Sequence, residues 1–422
     1  MLDGLSGSPA IYAICAASMC GVLVRPWRTP EALWAVAGAG LLVLLGLVPW
    51  QEAAAAVGKG TDVYLFLVGM MLLSELARRE GLFDYLAAIC VRRANGSAHR
   101  LFLLVYTVGT VVTVFMSNDA TAVVLTPAVL AVSRRARVSP LPYLLACAFI
   151  ANAASFVLPI SNPANLVIFG DRLPPLLQWF ERFALPSVLS VVATYAVLRA
   201  MHRRELSESV ATDVELPEFT RAAKLAGAGV LFTAGVLLVA SAYGMSLGLP
   251  TLLAAATVCL AVLASQRESP WALARRVSWS VLPLVAGLFV LVEGLQRAGI
   301  LARLTQLLRA AIAASETGTA LGAGVAVAFA CNLLNNLPAG LVAGLVVARA
   351  DATPVVQSAV AIAVDLGPNL SVTGSLATIL WLLAIRNEGE NVSARQFLKV
   401  GAVAMPVALV LALLGLMLQR VL

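Results

Sequence analysis

GMMLLSELARREG, residues Gly69 to Gly81, returns as GLFVLVEGLQRAG, residues Gly287 to Gly299. At an offset of 218, Gly69, Glu75, Arg79 and Gly81 become Gly287, Glu293, Arg297 and Gly299, and Asn118 becomes Asn336. Further along, Pro140 and Ser161 recur as Pro354 and Ser375 at an offset of 214. The slip of four residues is the size of a loop. An internal repeat in a mostly apolar chain marks a secondary transporter. The repeat divides the chain into a first unit at 1–201, a linker at 202–221 and a second unit at 222–422.

Composition sets the solvent. Of 422 residues, 60% are hydrophobic and 12% charged, and the mean hydropathy is +0.91. A soluble chain of this length has too little interior to hide that much apolar surface. Apolar runs alternate with short charged loops, which predicts an all-α polytopic membrane protein. The segment before the first span carries neither a basic region nor a small-residue cleavage site, so no cleaved signal peptide is expected. The formal charge of +7 comes from loop arginines and lysines and does not call for nucleic acid. The six cysteines lie in or near apolar helices without a CxxC pair, and the two histidines sit at loop edges. Disulfides, a metal centre and a cofactor are therefore not expected, and a Ser/His catalytic pair has nothing to build on.

Spans are expected at 8–24, 31–49, 62–77, 140–170 and 175–200, and again at 222–243, 248–265, 278–295, 354–385 and 397–419. Amphipathic stretches follow the third and eighth spans at 82–95 and 298–313. Charge decides how to treat 101–133 and 317–349, which are apolar on both sides of a polar centre. Read as re-entrant hairpins, they leave five crossings per unit, so the two units are inverted. The loops at 25–28, 78–100, 134–137, 199–224, 267–276 and 386–399 then share one side and hold 21 of the 29 Lys and Arg. By the positive-inside rule that side is cytoplasmic, together with the linker, and both termini are outside.

Four polar breaks interrupt the apolar segments: Ser117–Ala120, Ser161–Asn165, Asn335–Pro338 and Asn369–Thr378. Irregular backbone at membrane depth survives only inside protein or along a cavity. Two hairpin tips and two broken helices, related by a pseudo-two-fold axis, would meet near the midplane. Asn118, Asp119, Ser161, Asn162, Asn165, Asn335, Asn336, Gly374, Ser375 and Thr378 are the candidate solute-binding residues. Asn and Ser offer both donors and acceptors, which suits a neutral polyhydroxylic solute or an ion. Asp119 and Asp365 are costly charges at depth and are the proton-coupling candidates. Glu75 and Glu293 read as helix-end caps or as partners of Arg78, Arg79 or Arg297. No Lys, Arg or His stands beside a break in sequence, which favours a neutral solute or a cation over an anion. Cys331 reads as a small apolar residue rather than a thiol ligand.

At these breaks the chain resembles the arsenite permeases, the arsenical pump membrane proteins of the ion transporter superfamily. The resembling segments are Ser117-Asn118-Asp119-Ala120 with Leu125-Thr126-Pro127, Ile160 to Leu166, Asn335 to Pro338, and Asp365-Leu366-Gly367-Pro368-Asn369 followed by Gly374 to Trp381. Pro163 and Ala164 stand where many arsenite permeases have bulkier apolar residues. Asp119 replaces the threonine of the divalent-anion symporters' hairpin motif, which argues against a carboxylate solute. The resemblance implies export of arsenite and antimonite as neutral hydroxides against inward proton flow, across the cell (inner) membrane, with hairpins and broken helices moving like an elevator. In some bacteria such permeases also work with an arsenite-stimulated ATPase subunit. A sodium/proton antiporter on the same fold is the alternative. An intramembrane enzyme lacks a catalytic constellation, and a passive pore would not need the inverted repeat.

Overall fold

The computed structural model describes residues 8–26, 29–211 and 215–420, the side chains of Ser8 and Asp171 excepted. Both chain termini, and positions 27–28 and 212–214 of the expected loop and linker, lie outside the described residues. Among the described residues the regular elements are all helices, with no strand; a lone bridge joins Ser97 and Ser209.

The helices follow the apolar runs closely. In chain order they are α1 (Ser8–Val24), α2 (Glu31–Leu44), α3 (Trp50–Lys59), α4 (Thr61–Arg79), α5 (Leu82–Ala94) and α6 (Ala98–Phe115). A π-helical turn at Ala120–Leu125 leads into α7 (Thr126–Arg135). Then come α8 (Leu141–Ala153), α9 (Pro163–Phe169) and α10 (Leu176–Met201). After the linker follow α11 (Arg221–Ala242), α12 (Gly248–Gln266), α13 (Pro270–Ala274), α14 (Val281–Arg297) and α15 (Ile300–Ala314). The last five are α16 (Glu316–Leu334), α17 (Asn336–Arg349), α18 (Pro354–Leu366), α19 (Leu376–Asn387) and α20 (Ala394–Gln419). Among the described residues six helices are long and apolar enough to cross a membrane, or up to eight if each of two bent pairs counts as one span. The short connectors α3 and α13 were not expected from the sequence.

Matched residues make matched contacts. Gly69 on α4 lies against α12, where a Cβ would come within 2.8 Å of the Thr251 backbone. Gly287 on α14 lies against α2 in the same way, 2.7 Å from the Ala35 carbonyl carbon. Arg79 at the end of α4 pairs with Glu268, on the connector between α12 and α14. Arg297 at the end of α14 pairs at 2.5 Å with Glu52, on the connector between α2 and α4. Gly81 and Gly299 take left-handed φ of 76° and 83°, turning the chain sharply into amphipathic α5 and α15. Glu293 does not pair with Arg297, one of the expected options; it binds Lys59 Nζ at 3.1 Å, while Glu75 binds Arg78 at 2.6 Å.

Both segments read as hairpins turn back. The N–H groups of the adjacent linker residues Val210 and Ala211 donate to Gly96 O, just before α6, and Ala136 O, just after α7, each at 3.0 Å. The first hairpin therefore enters and leaves at the linker side. The second opens where Arg172, after α9, faces Asp351, after α17, at 3.9 Å. The broken span α8–α9 thus runs from the first hairpin's mouth to the second's. The broken span α18–α19 runs the other way: it starts at the second mouth and ends where Arg134 of α7 binds Glu388 O and Glu390 at 2.8 and 3.0 Å. These two spans form the centre. Pro142 to Ala153 of α8 and Ser358 to Leu366 of α18 are buried. Outer helices instead expose Val188 and Val192 on α10 and Leu231, Phe232 and Val239 on α11, faces suited to lipid.

Candidate functional site

The breaks form because local polar groups replace the helix ladder. Ser117 has φ 137° and Asn335 φ 70°, so the tip of each hairpin turns through a conformation that extended helix cannot adopt. At three of the four breaks a side chain caps the new helix. Asn162 Oδ1 accepts from Ala164 N–H at 2.9 Å, Asn335 Oδ1 from Leu337 N–H at 3.4 Å, and Ser375 Oγ from Thr378 N–H at 3.1 Å. The carbonyls freed at the end of α8 are taken up as well. Ser190 Oγ donates to Ala153 O, Asn165 Nδ2 to Ser155 O and Trp179 Nε1 to Phe156 O, at 2.9, 3.0 and 3.0 Å. This accounting is what a break in hydrocarbon requires.

Several expected site residues are therefore spent on structure. Ser161 Oγ donates to Val114 O at 3.0 Å and clasps the first hairpin to the first broken span. Ser375 and Thr378 lie 2.7 Å apart, and Ser375 donates to Asn152 Oδ1 at 3.2 Å. Asn152 Nδ2 in turn reaches Asn369 Oδ1 at 3.0 Å, and Asn369 Nδ2 reaches Phe149 O at 3.0 Å. Gly374 has no space for a side chain, since a Cβ would lie 2.5 Å from Pro368 Cα. Asn332 Nδ2 donates to Gly367 O at 3.0 Å and its Oδ1 accepts from Ser371 at 2.7 Å.

What remains unspent is a set of acceptors. Asn118 Oδ1, Asn165 Oδ1, Asn336 Oδ1 and Asp365 Oδ2 are buried and have no hydrogen-bond partner among the described residues. Asn118 and Asn336 are repeat mates, and each is 2% exposed. Asp365 is fully buried; its other oxygen accepts from Asn162 Nδ2 at 2.6 Å. Buried acceptors without donors are rare, and four at the breaks leave places for donors or positive charge brought by water, a solute or an ion. Asp119 is half-buried and lines a cleft of about 80 Å³ with Ser117, Pro163, Ser74, Glu75 and Arg276. The Asn162–Pro163 turn thus stands between the two aspartates: Asn162 holds Asp365, and Pro163 faces the cleft with Asp119.

Sequence reasoning missed three participants. Asn152 was legible as a lone amide in the apolar α8, a pattern that marks a site at depth. Asn369 was seen as part of a break but not as Asn152's partner. Arg276 precedes α14 in a charged loop, and only the fold carries it to the cleft of Asp119. The expectation that no basic residue stands near the breaks holds in sequence and fails in space. Cys331 is buried, its Sγ 3.9 Å from Val364 O, and it lines none of the clefts described here.

A family model described as "Citrate transporter" matches residues 19–385. The chain belongs to this citrate-transporter (CitMHS) family. The arsenical pump membrane protein of Yersinia enterocolitica is 29% identical over 374 residues, which cover 83% of this chain and 85% of that protein. The arsenical pump membrane protein of Escherichia coli K12 is 27% identical over 370 residues, with the same coverage. The resemblance to arsenical pump membrane proteins read from the break motifs is thus met over most of the chain. The crystal structure of the YdaH transporter of Alcanivorax borkumensis superimposes with a TM-score of 0.59 at 14% identity, covering 86% of each chain. That likeness shows a shared fold. The family and these relatives make this CitMHS protein a multi-pass membrane transporter.

Proposed function

We propose that the protein exports arsenite and antimonite as neutral hydroxides in exchange for protons. The observation that carries this reading is the set of four unpartnered acceptors at the breaks. Trivalent arsenic and antimony hydroxides each present three hydroxyl donors, which would meet Asn118, Asn165 and Asn336, while a proton on Asp365 would neutralise the fourth group without any counter-charge. The names of the relatives support the solute class. Asp119, at the cleft, and Asp365, held by Asn162, are the groups that would carry the proton. The scaffold in this reading has ten spans in two inverted units, 1–201 and 222–422, joined by a cytoplasmic linker at 202–221, with both termini outside and the cell (inner) membrane as its site. Reciprocal contacts of Gly69 and Gly287, and the opposed courses of α8–α9 and α18–α19, support the inversion. Hairpins and broken spans would move together as an elevator. An arsenite-stimulated ATPase subunit is compatible with the linker-side loops.

A second reading is a carboxylate permease, favoured by Arg276 in the cleft of Asp119 and by the family's description. Everted vesicles separate the two. Arsenite uptake that depends on a proton gradient and not on sodium is the expected result. Citrate uptake without arsenite uptake would overturn the arsenite reading, and arsenite uptake that needs sodium would overturn the proton coupling.

A further inference from the structure

The cleft beside Asp119 has a twin. A second cleft of about 280 Å³ is lined by Phe289, Val292 and Glu293 on α14 and Leu341 on α17. The first cleft is lined by Met71, Ser74 and Glu75 on α4 and by Val123 after the first hairpin tip. All four pairs stand at the repeat offset of 218. Each cleft also receives one basic residue from the connector before the facing unit's third span: Arg276, before α14, in the first, and Lys59, before α4, in the second. The first cleft lies toward the linker side, where α4 ends and α12 delivers its connector. The second lies toward the opposite side, beside Arg172 at the second hairpin's mouth.

The twins differ in two ways. Lys59 crosses the second cleft to Glu293 at 3.1 Å. In the first, Glu75 is held within its own helix by Arg78, and Arg276 is exposed with no ion-pair partner among the described residues. Depth differs too. The first cleft reaches the hairpin tip at Ser117 and Asp119 and the break at Pro163. The second stops at Leu341 and Leu166, short of Asn335 and Asn336.

We propose that these clefts are the solute's two portals, that in this structure the linker-side one reaches the breaks while the far one does not, and that Lys59–Glu293 bolts the far one. Glu75–Arg276 is the equivalent bolt, formed when the linker-side portal closes. Glu75 need only exchange Arg78 for Arg276. The proposal rests on the protein being an alternating transporter, not on which solute it carries.

The test uses purified protein in nanodiscs, without solute, in a Cys20→Ala background that leaves the five buried cysteines in place. Gln296→Cys reports the far portal and Ser278→Cys the linker-side portal through their rates of reaction with a maleimide. Lys59→Gln should speed labelling at Gln296→Cys and slow it at Ser278→Cys, each by roughly two- to five-fold for a partly exposed ion pair. Arg276→Gln should do the reverse. The exchange of partners, Lys59→Glu with Glu293→Lys, should return both rates to the parent values and excludes a folding defect. Lys59→Gln rates that stay unchanged, or that move in the same direction at both sites, would overturn the proposal. Because no solute is present, that failure is distinct from a failure of arsenite to be transported.

Discussion

Asn162 donates its Nδ2 to Asp365 Oδ1 at 2.6 Å, joining two broken spans whose residues stand 203 positions apart. The same Asn162 caps α9 through its Oδ1. One amide therefore shapes the break and holds the most deeply buried carboxyl group of the centre. Its removal would leave both Asp365 oxygens without a donor, at a cost of about 1–3 kcal/mol. Asn162→Ala should lower thermal stability in detergent by that order. Asp365→Asn in the same background should recover part of the loss, because a neutral amide tolerates burial better. No recovery would mean that the defect lies in the cap alone.

Asp119 faces the cleft and accepts no side-chain hydrogen bond among the described residues. Asp119→Asn should keep the fold and abolish proton-driven arsenite transport in everted vesicles. A variant that still concentrates arsenite under a pH gradient would move the proton to Asp365.

Asn118 and Asn336 each present an unpartnered Oδ1 from a hairpin tip. Alanine at either position should weaken arsenite and antimonite together, by roughly five- to hundred-fold for one lost hydrogen bond. Cys331 is buried away from the clefts, so Cys331→Ser should be mild. Resistance assays on the three variants check this, and a severe Cys331→Ser defect beside near-normal Asn118→Ala and Asn336→Ala would mark a thiol site instead.

Ala136 and Arg137 lie at the first hairpin's mouth, but Ala136 is fully buried and Arg137 is exposed. Arg137→Cys and Glu208→Cys are therefore the positions to label. An impermeant maleimide should miss both in intact cells and reach both in everted vesicles. Reaction from outside at either one would reverse the proposed orientation.

The helices were legible because apolar length and charged loops leave little choice in a chain this hydrophobic. The breaks were legible because Asn, Pro, Ser and Gly at depth disrupt an α-helix for known reasons. Their division of labour was not. Asn162, Asn335 and Ser375 look alike in sequence to Asn118 and Asn336, and only the packing shows which oxygens are spent on N–H groups and which are left over. Arg276 shows the same limit from the other side, since a loop residue reaches the cleft through the packing of α12 on α4.

Gly69 against Thr251 and Gly287 against Ala35 lock α4 onto α12 and α14 onto α2, with backbone touching backbone. A clamshell that swings 1–201 away from 222–422 would have to tear both seams at once. Dissected at the linker, the chain would give two fragments, each missing the surface its own glycine was shaped to meet. They are interlocked halves of one object rather than two exchangeable modules, and only co-expression of both would restore it.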